Sequence, residues 1–263
     1  MAYTTINKST DYFNTKLYTG NGTTQSITGV GFQPDMVWAK CRAGTVNHGL
    51  ADAVRGATNQ LRPNDTTAEF TGGFVSFDAD GFSLNNNHNE NNNSQSYASW
   101  NWKSGGAGSS NTDGSITSTV SANTTAGFSI VKYTGNTTSG ATVGHGLGAV
   151  PKMIIAKNTT SNSQNWQTYH VSVGNDKTTE LDLGNASGSS SAWNSTTPTS
   201  TVFTLGNGVS TNGATQVAYC WTEKKGFSKF GSYVANADDD GPFVYCGFRP
   251  AWILCRSSSA SGE

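Results

Sequence analysis

The chain has 263 residues, of which 13% are charged, and its formal net charge is −1. That balance sets up no field to draw in a polyanion and shows no basic stripe, so no nucleic-acid partner is expected. No stretch approaches the ~20 apolar residues that span a bilayer, and the opening MAYTTINKSTDYF lacks the apolar segment of a secretory signal.

Residues 1–12 read as an N-terminal arm, with Met1 to Ile6 β-prone and free to pair with a neighbour. A first repeat occupies 13–103. Its opening, YTGNGTTQSITGVGFQPDMVWAK at 18–40, reads as a β-hairpin: Asn21-Gly22 is a turn dipeptide, and a weakly hydrophobic return strand follows around Ile27. Pro34 lacks an N–H and suits a strand start. The apolar run Met36, Val37, Trp38, Ala39 suits a strand buried between two sheets, with Lys40 re-emerging into water, as Lys157 and Arg256 are expected to do at the ends of the later copies of the run. Residues 47–56 read as a strand or a single helical turn. Phe74 to Phe77 is a strand, the turn Asp78-Ala79-Asp80-Gly81 follows, and Phe82 to Leu84 resumes. Residues 85–93, NNNHNENNN, read as a polar tip with His88 exposed. SYASWNW at 96–102 alternates in period two as an aromatic strand.

SGGAGSSNTD at 104–113 reads as a linker. A second repeat spans 114–225 and restates the opening phrase as YTGNTTSGATVGHGLGAVPKMIIAK at 133–157. Residues 166–174 stand where 47–56 stood, and Val217 to Trp221 stand where Tyr97 to Asn101 stood. The phrase returns, altered, as YVANADDDGPFVYCGFRPAWILCR at 233–256. This partial third repeat, 226–263, is too short to bury a core and is expected to add a hairpin that completes or caps the second repeat. The prolines at 34, 151 and 250 mark a repeat of domain size, beyond solenoid periods. With 31 Gly and 28 aromatic residues (seven Trp, nine Tyr, twelve Phe), the fold class is all-β: tandem antiparallel β-sandwiches of jelly-roll or lectin-like type.

Candidate chemistry is sparse. Asp238, Asp239 and Asp240 form an oxygen-rich loop that can hold calcium. The closing Glu of an EF-hand is absent, and an ordinary turn is the preferred reading there and at Asp78 and Asp80. His48, His88, His145 and His170 show no metal-ligand spacing, and G-x-S-x-G does not occur. Gly144 to Gly148 is no nucleotide loop, because Pro151 leads into a strand. Trp100, Trp102, Trp193 and Trp221 can stack on sugar rings as surface glycan contacts, or pack as core. Among Cys41, Cys220, Cys246 and Cys255 there is no C-x-x-C. A Cys246–Cys255 disulfide is conceivable, but buried thiols are preferred. No cofactor is expected.

The phrases MAYTTI, YTGNGTTQSITGVGFQPDMVWAK, NHGLADAVRG, FDADGFSL, YASWNWK, ATVGHGLGAVPKMIIAK and GFSKFGSYVANADDDGPFVYCGFRPAWIL carry a resemblance over almost the whole chain. It resembles a family of structural proteins of tailed bacteriophages, frequent in marine and cyanobacterial phages. The resemblance implies a place in the virion and carries over no catalytic residue. The function expected from it is a non-enzymatic tail fibre or appendage, made in the host cytoplasm. Its expected partners are other virion proteins and a host-surface glycan or protein, and it is expected to form a homo-oligomer, taken as a trimer. Capsid decoration is the alternative. An enzyme cutting surface polysaccharide is a third reading, which needs two carboxylates converging at ~5–10 Å.

Overall fold

A computed structural model describes residues 4–86 and 88–259. The first half of the chain carries β1 (Phe13–Thr19), β2 (Gln25–Thr28), β3 (Met36–Cys41), β4 (Gly49–Asp52), β5 (Gly56–Leu61), β6 (Phe70–Thr71), β7 (Phe74–Asp78), β8 (Gly81–Leu84) and β9 (Ser96–Trp102). The second carries β10 (Ser109–Asn111), β11 (Ser118–Asn123), β12 (Phe128–Thr134), β13 (Thr142–Gly144), β14 (Met153–Asn158), β15 (Gln167–His170), β16 (Gly174–Glu180), β17 (Gly188–Ser189), β18 (Val202–Thr204) and β19 (Thr215–Trp221). Every ladder between these strands is antiparallel.

The large sheet of the first half is ordered β1-β9-β3-β4-β5-β6, and the small one β2-β8-β7. The second half repeats this as β12-β19-β14-β15-β16-β17, extended at the β12 edge by β11 and β10, over the small sheet β13-β18. First strand pairs with last and second with next-to-last, which is the nesting of a jelly roll; the middle strands run as a meander. The registers coincide: Met36 lies opposite Trp102 and Phe13 opposite Trp102, as Met153 and Phe128 lie opposite Trp221. Even the tight turns match, with Gly56 at φ 97° and Gly174 at φ 98°. Both glycines take the left-handed region that a side chain would strain. The fold is therefore a tandem of antiparallel β-sandwiches.

Three apolar clusters explain the sequence pattern. Val37, Ala39 and Ala51 of the first large sheet pack on Ile27, Phe74, Phe82 and Leu84 of its small sheet. Ile154, Ala156, Tyr133 and Ala218 pack likewise on Val143 and Phe203. The alternate residues Met36, Trp38, Leu50, Leu61 and Trp102 point the other way. They meet Phe128, Ile130, Met153, Ile155, Val217 and Trp221, so the two large sheets pack face to face. Strands β3 and β14 thus lose water on both faces, which is why their runs are continuously apolar and do not alternate.

Several expectations are corrected. Residues 18–40 do not form a hairpin. Both β1 and β3 are antiparallel to β9, so they are parallel to each other, and the chain between them crosses to the small sheet through β2. The Asn21-Gly22 turn is a corner between sheets. Asn91 is fully buried and clamps it, accepting from the Asn21 amide (3.1 Å) and donating to the carbonyls of Thr23 (2.5 Å) and Asn85 (2.8 Å). The Asn-rich segment is therefore partly a buried tie, and His88 within it is half-buried. Residues 47–56 take the strand option and not a helical turn.

The stretch 104–113 is no free linker. Ser104 is buried, its amide donates to Asp35 (2.6 Å) and its hydroxyl to the Ser121 carbonyl (2.8 Å), and β10 pairs with β11. Lys157 does not emerge into water. It is 1% exposed, and its ammonium donates to the carbonyls of Thr66 (2.9 Å) and Gln164 (2.5 Å), tying one half to the other. Lys40 is half-buried and donates to the Gly44 and Val46 carbonyls, while Arg256 is exposed and donates to those of Leu183 and Asn185. Residues 226–259 add no hairpin. After β19 the described residues contain one isolated bridge, Lys224–Ser228, and no strand. Cys246 and Cys255 are free, as are the buried Cys41 and Cys220. The arm residues 1–3 lie outside the described residues, and Ile6 is buried.

Candidate functional site

The four tryptophans singled out as glycan contacts part company. Trp193 is 1% exposed and packs edge-on to Tyr169 and Phe203 in the second sandwich. Trp100 is half-buried and meets Trp38 edge-on at 5.9 Å, and the Trp38 indole N–H donates to His48 Nδ1 at 3.0 Å. Trp102 and Trp221 occupy equivalent places in the two modules and meet each other at 6.4 Å. Each is backed by the equivalent phenylalanine, Phe13 at 4.9 Å and Phe128 at 5.1 Å. Trp102, Trp193 and Trp221 are buried packing residues, so none of the three offers a free face to a sugar.

The Trp102–Trp221 pair nevertheless floors a cavity of about 840 Å³ that opens where the two large sheets end together. Met153, His170, Phe227 and Phe230 line its sides, and the chain over residues 241–255 roofs it. Trp252 projects from that roof onto the floor, edge-on to Trp102 at 5.4 Å and 6.2 Å from Phe13. The lining is apolar and aromatic, with Lys229 paired to Glu223 at the rim (3.0 Å). Such a lining binds chiefly by area and shape.

The acidic loop closes on itself. The Asn236 amide donates to the Asp240 carbonyl (2.9 Å), and the Asp240 N–H to Asp238 (3.0 Å), an Asx-type turn in the open. Among the described residues no three His, Cys, Asp or Glu side chains gather as a metal site. Asp80 accepts from the amides of Gly31 (2.6 Å) and Gly29 (2.9 Å), which hold its carboxyl below the ordinary range. Asp78 accepts from Ser76 and Ser83. Burial, with Lys40 nearby, pushes His48 down to about 4; burial also lowers His145, which contacts the Thr199 carbonyl (3.2 Å), and His170.

Sequence reasoning missed two polar clusters. At the joint between the modules, Arg55 donates to Asp52 (2.6 Å) and Glu69 (2.8 Å), while the Tyr219 hydroxyl donates to Asp52 (2.7 Å). Arg55, Asp52 and Tyr219 are all buried. Burial alone would lower the guanidinium, but Asp52, Tyr219 and Glu69 hold it above its ordinary value. The second cluster is in the first module. Glu90 is 2% exposed; one oxygen accepts from Gln60 (2.5 Å) and the other has no partner. Burial pushes its carboxyl up to about 7, against the lowering pull of Gln60 and Arg62. The only local signal was glycine: a Cβ on Gly49 would sit 2.4 Å from Glu90 Oε1, and one on Gly73 2.7 Å from Oε2.

A family model described as a domain of unknown function (DUF7483) matches residues 8–263. The chain belongs to that family. No curated protein and no solved structure matches it. The DUF7483 match takes in both sandwiches and the third copy of the Gly-x-x-Pro phrase.

Proposed function

We propose that the chain is a non-enzymatic structural protein of a bacteriophage virion, acting as a tail-fibre or appendage module at the host surface. The observation that supports this reading is the fusion of two equivalent sandwiches through a largely apolar sheet-to-sheet core, pinned by the buried Asp52–Arg55–Tyr219 network. Such a body is stiff, and it presents Asn-, Ser- and Thr-rich loops on both modules while its aromatic payload stays inside. The resemblance to tailed-phage structural proteins points the same way. Its partners on this reading are other virion proteins, further copies of itself in a homo-oligomer, and a host-surface glycan or protein.

The open edge of β1, where Leu17 is 58% exposed, favours capsid decoration as a second reading, because an unpaired strand edge can add to a shell protein. Tracing the chain in images of intact particles separates the two. Density on tail appendages, with purified chain binding host cells, supports the fibre. Copies scattered over the shell support decoration. Release of reducing ends from host polysaccharide would overturn both.

A further inference from the structure

The corner that follows the first strand of each module is built twice on one plan. In the first module the Tyr18 hydroxyl donates to the Glu90 carbonyl (2.8 Å), the Asn21 amide to Asn91 Oδ1 (3.1 Å) and the Gly22 amide to the Asn91 carbonyl (3.0 Å). In the second the Tyr133 hydroxyl donates to the Val209 carbonyl (2.8 Å), the Asn136 amide to the Ser210 hydroxyl (3.4 Å) and the Thr137 amide to the Ser210 carbonyl (2.8 Å). Glu90 and Val209 are therefore equivalent, at 2% and 1% exposure. The hydrogen-bond donor to Glu90 has changed with it. Counted from the matched glycines 56 and 174, Gln60 corresponds to Thr178, whose hydroxyl turns to the Thr168 carbonyl (3.1 Å). One module thus fills this core position with a methyl-bearing side chain, and the other places an ionisable group there.

The surroundings of Glu90 do not suit a carboxylate. Gln60 donates to Oε1, while Oε2 is buried without a partner. Among the described residues no Lys, Arg or His forms an ion pair with it. Tyr18 on β1 and Tyr97 on β9 face it, and burial raises both phenols, so both stay neutral. Arg62, after β5, attracts the carboxylate but stands 3.7 Å from Asp65. His88 of the same loop lies across Gly73 from it: a Cβ on Gly73 would sit 2.7 Å from Glu90 Oε2 and 3.2 Å from His88 Cγ. A charge in such a place is disfavoured until it reaches water. The next residue in the chain is Asn91, which holds the corner through the Asn21 amide and the Thr23 carbonyl, so Glu90 cannot move out without disturbing that clamp.

We infer that Glu90 is a proton-operated latch on the first corner. With its proton it seats the loop 85–93 and lets Asn91 hold residues 20–25. Without it the side chain leaves its site, the loop lifts and that corner opens, while the second corner, with Val209, stays shut at every pH. The folded carboxyl titrates at about 7 and the released one near 4.5, so the latch is fully engaged below 4.5 and weakens as pH rises through about 7. The inference stands on comparison of the two modules and does not depend on where the protein works.

The test is amide hydrogen exchange on the whole chain at about pH 5.5 and about pH 8.5, corrected for the intrinsic chemical rate. Gly22 and Ser94 report the first corner, and Thr137 and Gly213 report the equivalent bonds of the second. The opening equilibrium of the first pair should rise about tenfold or more between the two conditions, and that of the second should not change. Glu90→Gln keeps a neutral polar group and should flatten the profile of the first pair. Glu90→Val, which copies the second module, should flatten it as well. A rise shared by both corners overturns the inference. So does a rise that persists in either variant, or its absence from the native chain.

Discussion

Asp52, Arg55 and Tyr219 show how a few side chains set the joint between the modules. Removing the carboxylate leaves a buried guanidinium with Glu69 as its remaining carboxylate partner, and breaking such a pair costs about 3–5 kcal/mol. Removing only the tyrosine hydroxyl costs about 1–2 kcal/mol, because Asp52 keeps Arg55. Urea denaturation should therefore rank Asp52→Ala well below Tyr219→Phe, and equal losses would mean the network is not shared. Glu90 makes a second prediction. Its carboxyl is raised in the folded protein, so the native state holds a proton that the unfolded chain releases near the ordinary value of 4.5. That contribution is complete below 4.5 and is lost as pH rises through about 7. Glu90→Gln should remove the loss, so the variant gains on the native chain by up to about 3 kcal/mol between pH 4.5 and 8. A pH-independent difference between the two denaturation midpoints would refute this.

At the level of elements, the crossing from β1 through β2 to β3 depends on close contact between small-sheet strands. Gly81 starts β8 at φ 154°, and a Cβ there would sit 1.8 Å from the Ile27 carbonyl oxygen. Gly81→Ala must push β2 away from β8, and a loss of about 3 kcal/mol is expected. Hydrogen exchange should show the damage concentrated in β2 and β8, with the second module unaffected. The same elements show what a local pattern conveys. Met36 to Ala39 and Met153 to Ala156 read as doubly buried strands, and they are, because a strand that loses water on both faces carries no polar positions. The hairpin reading of 18–40 failed because Asn21-Gly22 reports a reversal of direction and not which strand comes next. The partner of β1 is β9, where Tyr18 lies opposite Tyr97, 79 residues further on.

For the whole molecule, the sheet-to-sheet core makes each half depend on the other. A chain cut within 104–113 would expose Met36, Trp38, Leu50 and Trp102 on one side and Phe128, Met153, Ile155 and Trp221 on the other. Each half expressed alone is expected to aggregate, and the two expressed together to co-elute as one particle in size-exclusion chromatography. Two soluble monomeric halves would show that the shared core is dispensable.

Duplication, strand content and the doubly buried runs were legible in the sequence by itself, since a repeated phrase and an apolar run record local chemistry that each copy must satisfy. Tertiary structure alone decided that the modules pack back to back, that Trp102 and Trp221 meet each other, that Lys157 is buried, and that no strand follows β19 among the described residues. Those outcomes turn on which distant strand or carbonyl reaches each group, and a chain read in order does not carry that distance.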